Sequence, residues 1–118
     1  MIRGDFVWAS SGVLQSFQIE GHQTRDSGSP ALLCAVVSST VRSFIRLCQG
    51  WKLSVKVAGD ERGRVSFEIK ELPLDRDLYK GACAVLWQVF QDLEQENPTL
   101  IKVQTIDVSD LALGLYLC

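Results

Sequence analysis

The sequence predicts an α+β fold, a two-layer sandwich in which a mostly antiparallel sheet is packed by two helices in the order β-β-α-β-β-α-β. Three observations carry this. Two long segments, Ala31 to Gln49 and Asp75 to Gln95, repeat apolar residues at the three-to-four spacing of one helix face. Pairs of short segments alternate apolar and polar residues across glycine-containing turns, the period of strands with one buried side. No linker, internal repeat or low-complexity tract divides the 118 residues, so residues 1–118 read as a single domain of ordinary size.

The start, Ile2 to Trp8, is strand-like, and Ser10-Ser11-Gly12 reads as a turn. Val13 to Glu20 follows, with Val13, Phe17 and Ile19 on one side and Gln18 and Glu20 on the other, which completes a hairpin. A polar loop runs from Gly21 to Ser29. Ser29-Pro30 reads as a helix start, because serine can cap and proline suits the first helical position. In the helix from Ala31 to Gln49, residues Leu33, Val37, Val41, Phe44 and Cys48 share one face, and Arg42 and Arg46 lie elsewhere. Gly50 is placed to end it.

Trp51, Leu53, Val55 and Val57 alternate with Lys52, Ser54 and Lys56, and Val65, Phe67 and Ile69 alternate with Ser66, Glu68 and Lys70. Gly59-Asp60-Glu61-Arg62-Gly63 between them makes a second hairpin. Leu72-Pro73-Leu74-Asp75 leads into the second helix, whose expected apolar stripe is Leu78, Ala82, Val85, Leu86, Val89 and Leu93. Asp75 and Asp77 suit the positive end of its dipole, and Asn97-Pro98 closes it. Glu94 and Glu96 read as a solvated helix end. Leu100 to Ile106 is the last strand. The tail from Asp107 to Cys118 is apolar, and a short strand, a helix or an interface segment all fit it.

Composition narrows the function classes. The chain is 47% hydrophobic and 22% charged, with a net charge of −2 and a pI near 5.3. That is not the basic footprint of a nucleic-acid binder, and no direct nucleic-acid partner is expected. Cys34, Cys48, Cys83 and Cys118 are widely spaced, without a C-x-x-C pair or a cysteine–histidine cluster. No metal or other cofactor is expected. Free thiols in a reducing, cytoplasmic setting are expected, most of them small core fillers. Arg3 and Asp5 interrupt the start, which does not read as a signal peptide. No apolar run reads as long enough to span a bilayer, and no membrane partner is expected.

One juxtaposition carries chemistry. His22 is the only histidine, and Cys34 follows it twelve residues later at the start of an apolar helix. A thiol acts as a nucleophile through its thiolate, which a nearby base or positive field favours. The amino end of a helix offers such a field within its first turn, and backbone N–H groups there could hold an oxyanion. Two readings of these residues stand. Cys34 and His22 form a catalytic pair, or Cys34 is a core filler and His22 a turn residue. Trp51, Trp87 and Phe90 read as core or interface contacts, and Trp8 as an edge or interface residue.

The run Phe17-Gln18-Ile19-Glu20-Gly21-His22, the loop containing Gly28, and Leu32-Leu33-Cys34-Ala35-Val36-Val37-Ser38 resemble the signature of the bacterial ribosomal-processing cysteine proteases, the Prp family. That family carries Gly-His at the end of its second strand, a glycine-containing loop, and a Cys-Ala-x-x-Ser helix start. The resemblance spans almost the whole chain in element order. It implies a homodimeric, cytoplasmic cysteine endopeptidase. The substrate would be the N-terminal extension of a bacterial large-subunit ribosomal protein, the one numbered twenty-seven, in its precursor form. By the same resemblance Cys34 is the nucleophile and His22 the general base. Gly21 and Ser38 support the site, and Gln23, Asp26, Gly28 and Ser29 belong to a substrate loop.

Three positions depart from that pattern. Gln23 stands where the family has a small residue, Ala31 stands where it has an acidic one, and Gly28 is displaced and followed by Ser29-Pro30. The missing carboxylate removes an organiser of the loop or the imidazole. A non-catalytic, ribosome-associated peptide-binding module is the alternative these departures motivate.

Overall fold

A computed structural model describes residues 1–21, 31–59, 63–71 and 76–107. The element order is β1 (Ile2–Trp8), β2 (Leu14–Glu20), α1 (Ala31–Gly50), β3 (Val55–Gly59), β4 (Val65–Ile69), α2 (Arg76–Glu96) and β5 (Ile101–Asp107). The five strands form one sheet in the order β3-β4-β2-β1-β5. All neighbours are antiparallel except β1 and β5, which pair in parallel. This is the predicted α+β sandwich.

Cross-strand partners explain why one face is dry. Phe6 pairs with Phe17, and Phe17 with Phe67. Paired residues point to the same side of a sheet, so three rings line up across β1, β2 and β4. The Phe17 and Phe67 rings stack with centroids 5.0 Å apart. Phe44 of α1 meets both edge-on, and Phe90 of α2 covers Phe6. Leu33, Val37, Val41, Phe44 and Cys48 are all buried, so the α1 stripe is the one its periodicity predicts. Arg3, Asp5, Ser16, Gln18, Lys56 and Glu68 fall in the opposite register and leave the other face solvated.

Several local expectations are corrected. Gly50 does not end α1 by a left-handed turn; Lys52 does, with φ of 60°. The Lys52 amide donates to the Gln49 carbonyl at 2.9 Å and the Leu53 amide to the Cys48 carbonyl at 3.1 Å. This pair of bonds is the Schellman arrangement with Lys52 at C′. The closure consumes Trp51 to Ser54, so β3 begins only at Val55. It is an edge strand, and Val57 is exposed rather than buried.

The α2 stripe is rotated from the predicted one. Tyr79, Cys83, Leu86 and Phe90 are buried, whereas Leu78 and Val85 are exposed. The reason lies in β2. A bulge shifts its register against β1 between Val7 and Trp8, and its pairing with β4 stops at Ser16. Leu14 therefore sits beyond the β4 ladder with its backbone buried. Tyr79 Oη donates to the Leu14 carbonyl at 2.7 Å, and the Leu14 amide donates to Cys83 Sγ at 3.5 Å. Buried backbone groups demand partners, and α2 turns its polar aromatic and its thiol inward to supply them.

Glu94 is also not a solvated residue. Its Oε2 accepts the Val103 amide at 2.7 Å, covering part of the β5 edge, which would otherwise offer that donor to another strand. Finally, Leu32–Gly50 is a 19-residue window of mean hydropathy 1.2. By length and composition alone it is long and apolar enough to cross a membrane, which corrects the reading of the apolar runs. In this fold its stripe packs on the sheet.

Candidate functional site

The site is built where β2 ends. The β2–β4 ladder continues past Ile19 and Val65: Arg64 Nη2 reaches Glu20 Oε2 at 3.2 Å, and the Gly21 amide donates to the Gly63 carbonyl at 3.1 Å. Gly21 has φ of +89°, a left-handed conformation that a Cβ disfavours. A Cβ at that position would also run into the carbonyl oxygen of Met1. Gly21 is thus held between the start of β1 and the start of β4. Its glycine is required twice over, by backbone angle and by space.

The thiol side is set by topology. β3 begins beside the end of β4, at the sheet edge opposite the end of β2. α1 must therefore run back across the sheet, antiparallel to β2, which places its first turns at the Gly21 end. Leu33 is buried and anchors that turn on the core. Cys34 follows it, half-buried and free. Ser38 lies one turn later on the same side and is also half-buried. Cys34 is the fourth residue of α1, so the dipole field acts on it from the edge of the first turn.

Cys34, Ser38 and Gly21 are therefore brought to one end of the sandwich. His22, Gln23, Asp26, Gly28 and Ser29 lie outside the described residues, as does the Ser29-Pro30 helix start. Cys48 and Cys83 are buried away from that end. Burial raises the Cys48 thiol from 9.0 to about 12, with the nearby Cys83 adding to the effect. Burial likewise raises the Cys83 thiol. Groups held protonated in this way are inert as nucleophiles. Among the three cysteines described, only Cys34 is partly accessible. Among the described residues, no three His, Cys, Asp or Glu side chains gather in a way that could hold a metal ion.

Sequence reasoning missed Met1 and Gly63 as the residues that fix Gly21. Gly63 was legible only as a hairpin-turn glycine, because the pairing of residues 21 and 63 is a register fact that neither local pattern encodes.

Neither a protein-family model nor a curated protein matches the chain. Solved structures do. The essential ribosomal processing protease Prp of Staphylococcus aureus, in complex with a substrate peptide, superposes with a TM-score of 0.78 at 15% identity. That match covers 90% of this chain and 100% of the other. The same enzyme with a covalently linked product peptide gives a TM-score of 0.75 at 16% identity, over 90% and 100%. SMU.848 from Streptococcus mutans gives 0.74 at 16% identity, over 91% and 98%.

This chain has the fold of Prp. At such identity the likeness speaks for the architecture, which includes the order of the elements that carry Gly21 and Cys34.

Proposed function

We propose that the protein is a cysteine endopeptidase of the ribosomal-processing type, working in the cytoplasm as a homodimer. It would remove the N-terminal extension of a bacterial large-subunit ribosomal protein, the one numbered twenty-seven, during ribosome maturation. The observation that carries this reading is the position of Cys34. It is the accessible thiol among those described, in the first turns of α1, at the sheet end where β2 delivers Gly21.

In the proposed reaction the Cys34 thiolate attacks the scissile carbonyl carbon. Backbone N–H groups at the start of α1 hold the oxyanion. Protonated His22 gives its proton to the leaving amine, which breaks the C–N bond and leaves an acyl-enzyme. Water, deprotonated by His22, then releases the acid and restores the thiol. Gln23, Asp26, Gly28 and Ser29 would contact the peptide, and Ser38 would support the helix turn beneath Cys34.

The test is incubation of the wild-type chain and Cys34→Ser with the extended ribosomal protein, read by intact mass. The expected result is one cut near the substrate's N-terminus, lost by about 10³-fold or more in the variant, as removal of a nucleophile entails. Stable binding by both forms without a cut would instead establish the peptide-binding module, which the absence of a carboxylate at Ala31 favours.

A further inference from the structure

α1 and α2 pack their inner stripes on the sheet, and a groove of about 730 Å³ runs between their outward sides. Phe44 and Leu86 form its floor, and Leu47, Leu78 and Val85 stand along it, the last three exposed. Gly81 and Ala82 keep its α2 wall low, and a Cβ built on Gly81 would meet nothing within 4 Å. Ser39, Thr40 and Ser43 put hydroxyls along its α1 wall. An apolar floor beside a row of hydrogen-bonding groups suits an extended apolar segment, whose backbone still needs partners.

Topology brings such a segment to the groove. β5 ends at Asp107, opposite Trp8. The Gly12 turn that follows β1 lies against the Lys80 side chain, and Tyr79 is bonded to the Leu14 carbonyl. α2 therefore starts above the sheet end at which β5 finishes. α1 runs antiparallel to β2, so its stretch from Ser39 to Trp51 approaches the same end, and Cys34 lies toward the other. Trp8 also buries its Nε1 there with no acceptor among the described residues. A carbonyl of residues 108–110, leaving β5 beside it, would supply one.

We propose that residues 111–117 of this chain lie in the helix groove of the same molecule. Leu111, Leu113, Leu115 and Leu117 recur at every second position, with Ala112, Gly114 and Tyr116 between them and no charge in the run. In an extended segment residues two apart share a side, so the four leucines face the floor together. Length agrees at both stages. The four steps from Asp107 to Leu111 reach about 14 Å, against a helix thickness of about 10–12 Å. Leu111 to Leu117 then spans about 20 Å, and the groove follows α1 from Ser39 to Trp51, about 18 Å. The free edge of β5 is a poorer place, because Glu94 already accepts the Val103 amide and an added strand would displace it. A lipid surface is poorer too, because Asp107 and Asp110 precede the run and anionic headgroups repel them. The proposal does not rest on the peptidase reading, and its test has no activity readout.

A nitroxide on Cys118 of the full chain tests it by amide NMR. Cys34→Ala leaves Cys118 as the reactive thiol, since Cys48 and Cys83 are buried. The expected result is loss of the Ser39, Ser43, Gly81 and Val85 amide signals, recovered when the nitroxide is reduced, with Lys56 and Ser66 on the far sheet face unaffected. Mixing spin-labelled, unenriched chain with unlabelled, isotope-enriched chain should cause no such loss. Gly81→Leu fills the groove while favouring the helix, so it should bring the signals back with the fold intact. Leu113→Asp with Leu115→Asp should do the same from the tail side, and keeps the test open should Gly81→Leu fail to fold. Groove signals that never broaden overturn the proposal, as does broadening that survives these substitutions. Equal loss in the mixed sample assigns the groove to the tail of another copy, and overturns it. Groove signals that change only when phosphatidylserine vesicles are added assign the face to lipid, and overturn it as well.

Discussion

Replacing Gly21 with alanine tests whether the Gly-His step is a structural requirement of this sheet. The residue adopts φ of +89°, which costs an ordinary L-residue about 1–2 kcal/mol. The new methyl would also collide with the Met1 carbonyl oxygen and lie 3.3 Å from the Met1 carbonyl carbon. Neither side can retreat freely. The neighbouring Ile2 is wholly buried, and its amide donates to the Leu100 carbonyl at 2.8 Å. Gly21 is itself tied to Gly63. Relieving the collision would stretch at least one of these bonds, adding about 1 kcal/mol. The expected loss is about 2–4 kcal/mol in total. At roughly 2.1 cal/mol/K of unfolding entropy per residue, this lowers Tm by about 8–16 °C. Differential scanning calorimetry of the two proteins measures it. A Tm within about 2 °C of wild type would refute the argument, because it would mean that the β1 start yields at no cost and does not fix Gly21.

Three further outcomes are expected. Tyr79→Phe leaves the buried Leu14 carbonyl without its 2.7 Å donor and should cost about 1–3 kcal/mol in urea unfolding; an unchanged midpoint would show that another donor takes over. Cys48 and Cys83 have thiols raised by burial, Cys48 from 9.0 to about 12. Their protonated forms favour the folded state fully below pH 9. For Cys48, stability should then fall as pH rises from about 9 toward 12, by about 1.4 kcal/mol per pH unit, and the raised Cys83 thiol acts in the same direction. Urea titrations at stepped pH should show a shallower fall in Cys48→Ala. Lys52→Gly relieves a left-handed lysine at the end of α1 and should raise stability by about 1 kcal/mol; a lower Tm would indicate that the lysine side chain contributes more than its backbone costs.

How much of this protein was legible in advance differs between its two helices. The α1 stripe from Leu33 to Cys48 is buried as its period requires, because a helix on a flat dry sheet needs only one apolar face. The buried α2 stripe differs from the one its period predicts. Tyr79 and Cys83 look less apolar than Leu78 and Val85, yet they face inward because the bulged β2 leaves the Leu14 backbone in need of a donor and an acceptor. That need is a tertiary fact. Likewise Glu94 resembles a solvated carboxylate until β5 brings the Val103 amide to it, and Gly50 resembles a helix stop until Lys52 takes the left-handed turn.

By itself the sequence determined the element order, the dry and wet faces of the central strands, and the candidate pair His22 and Cys34 twelve residues apart. These follow from local periodicity and residue chemistry, which act over a few positions. Only the tertiary structure decided that β5 lies parallel to β1 at the sheet edge, that Met1 and Gly63 confine Gly21, and that Cys34 remains partly accessible while Cys48 and Cys83 are sealed. Register, bulges and burial arise between segments far apart in the chain, and no short window of sequence contains both partners.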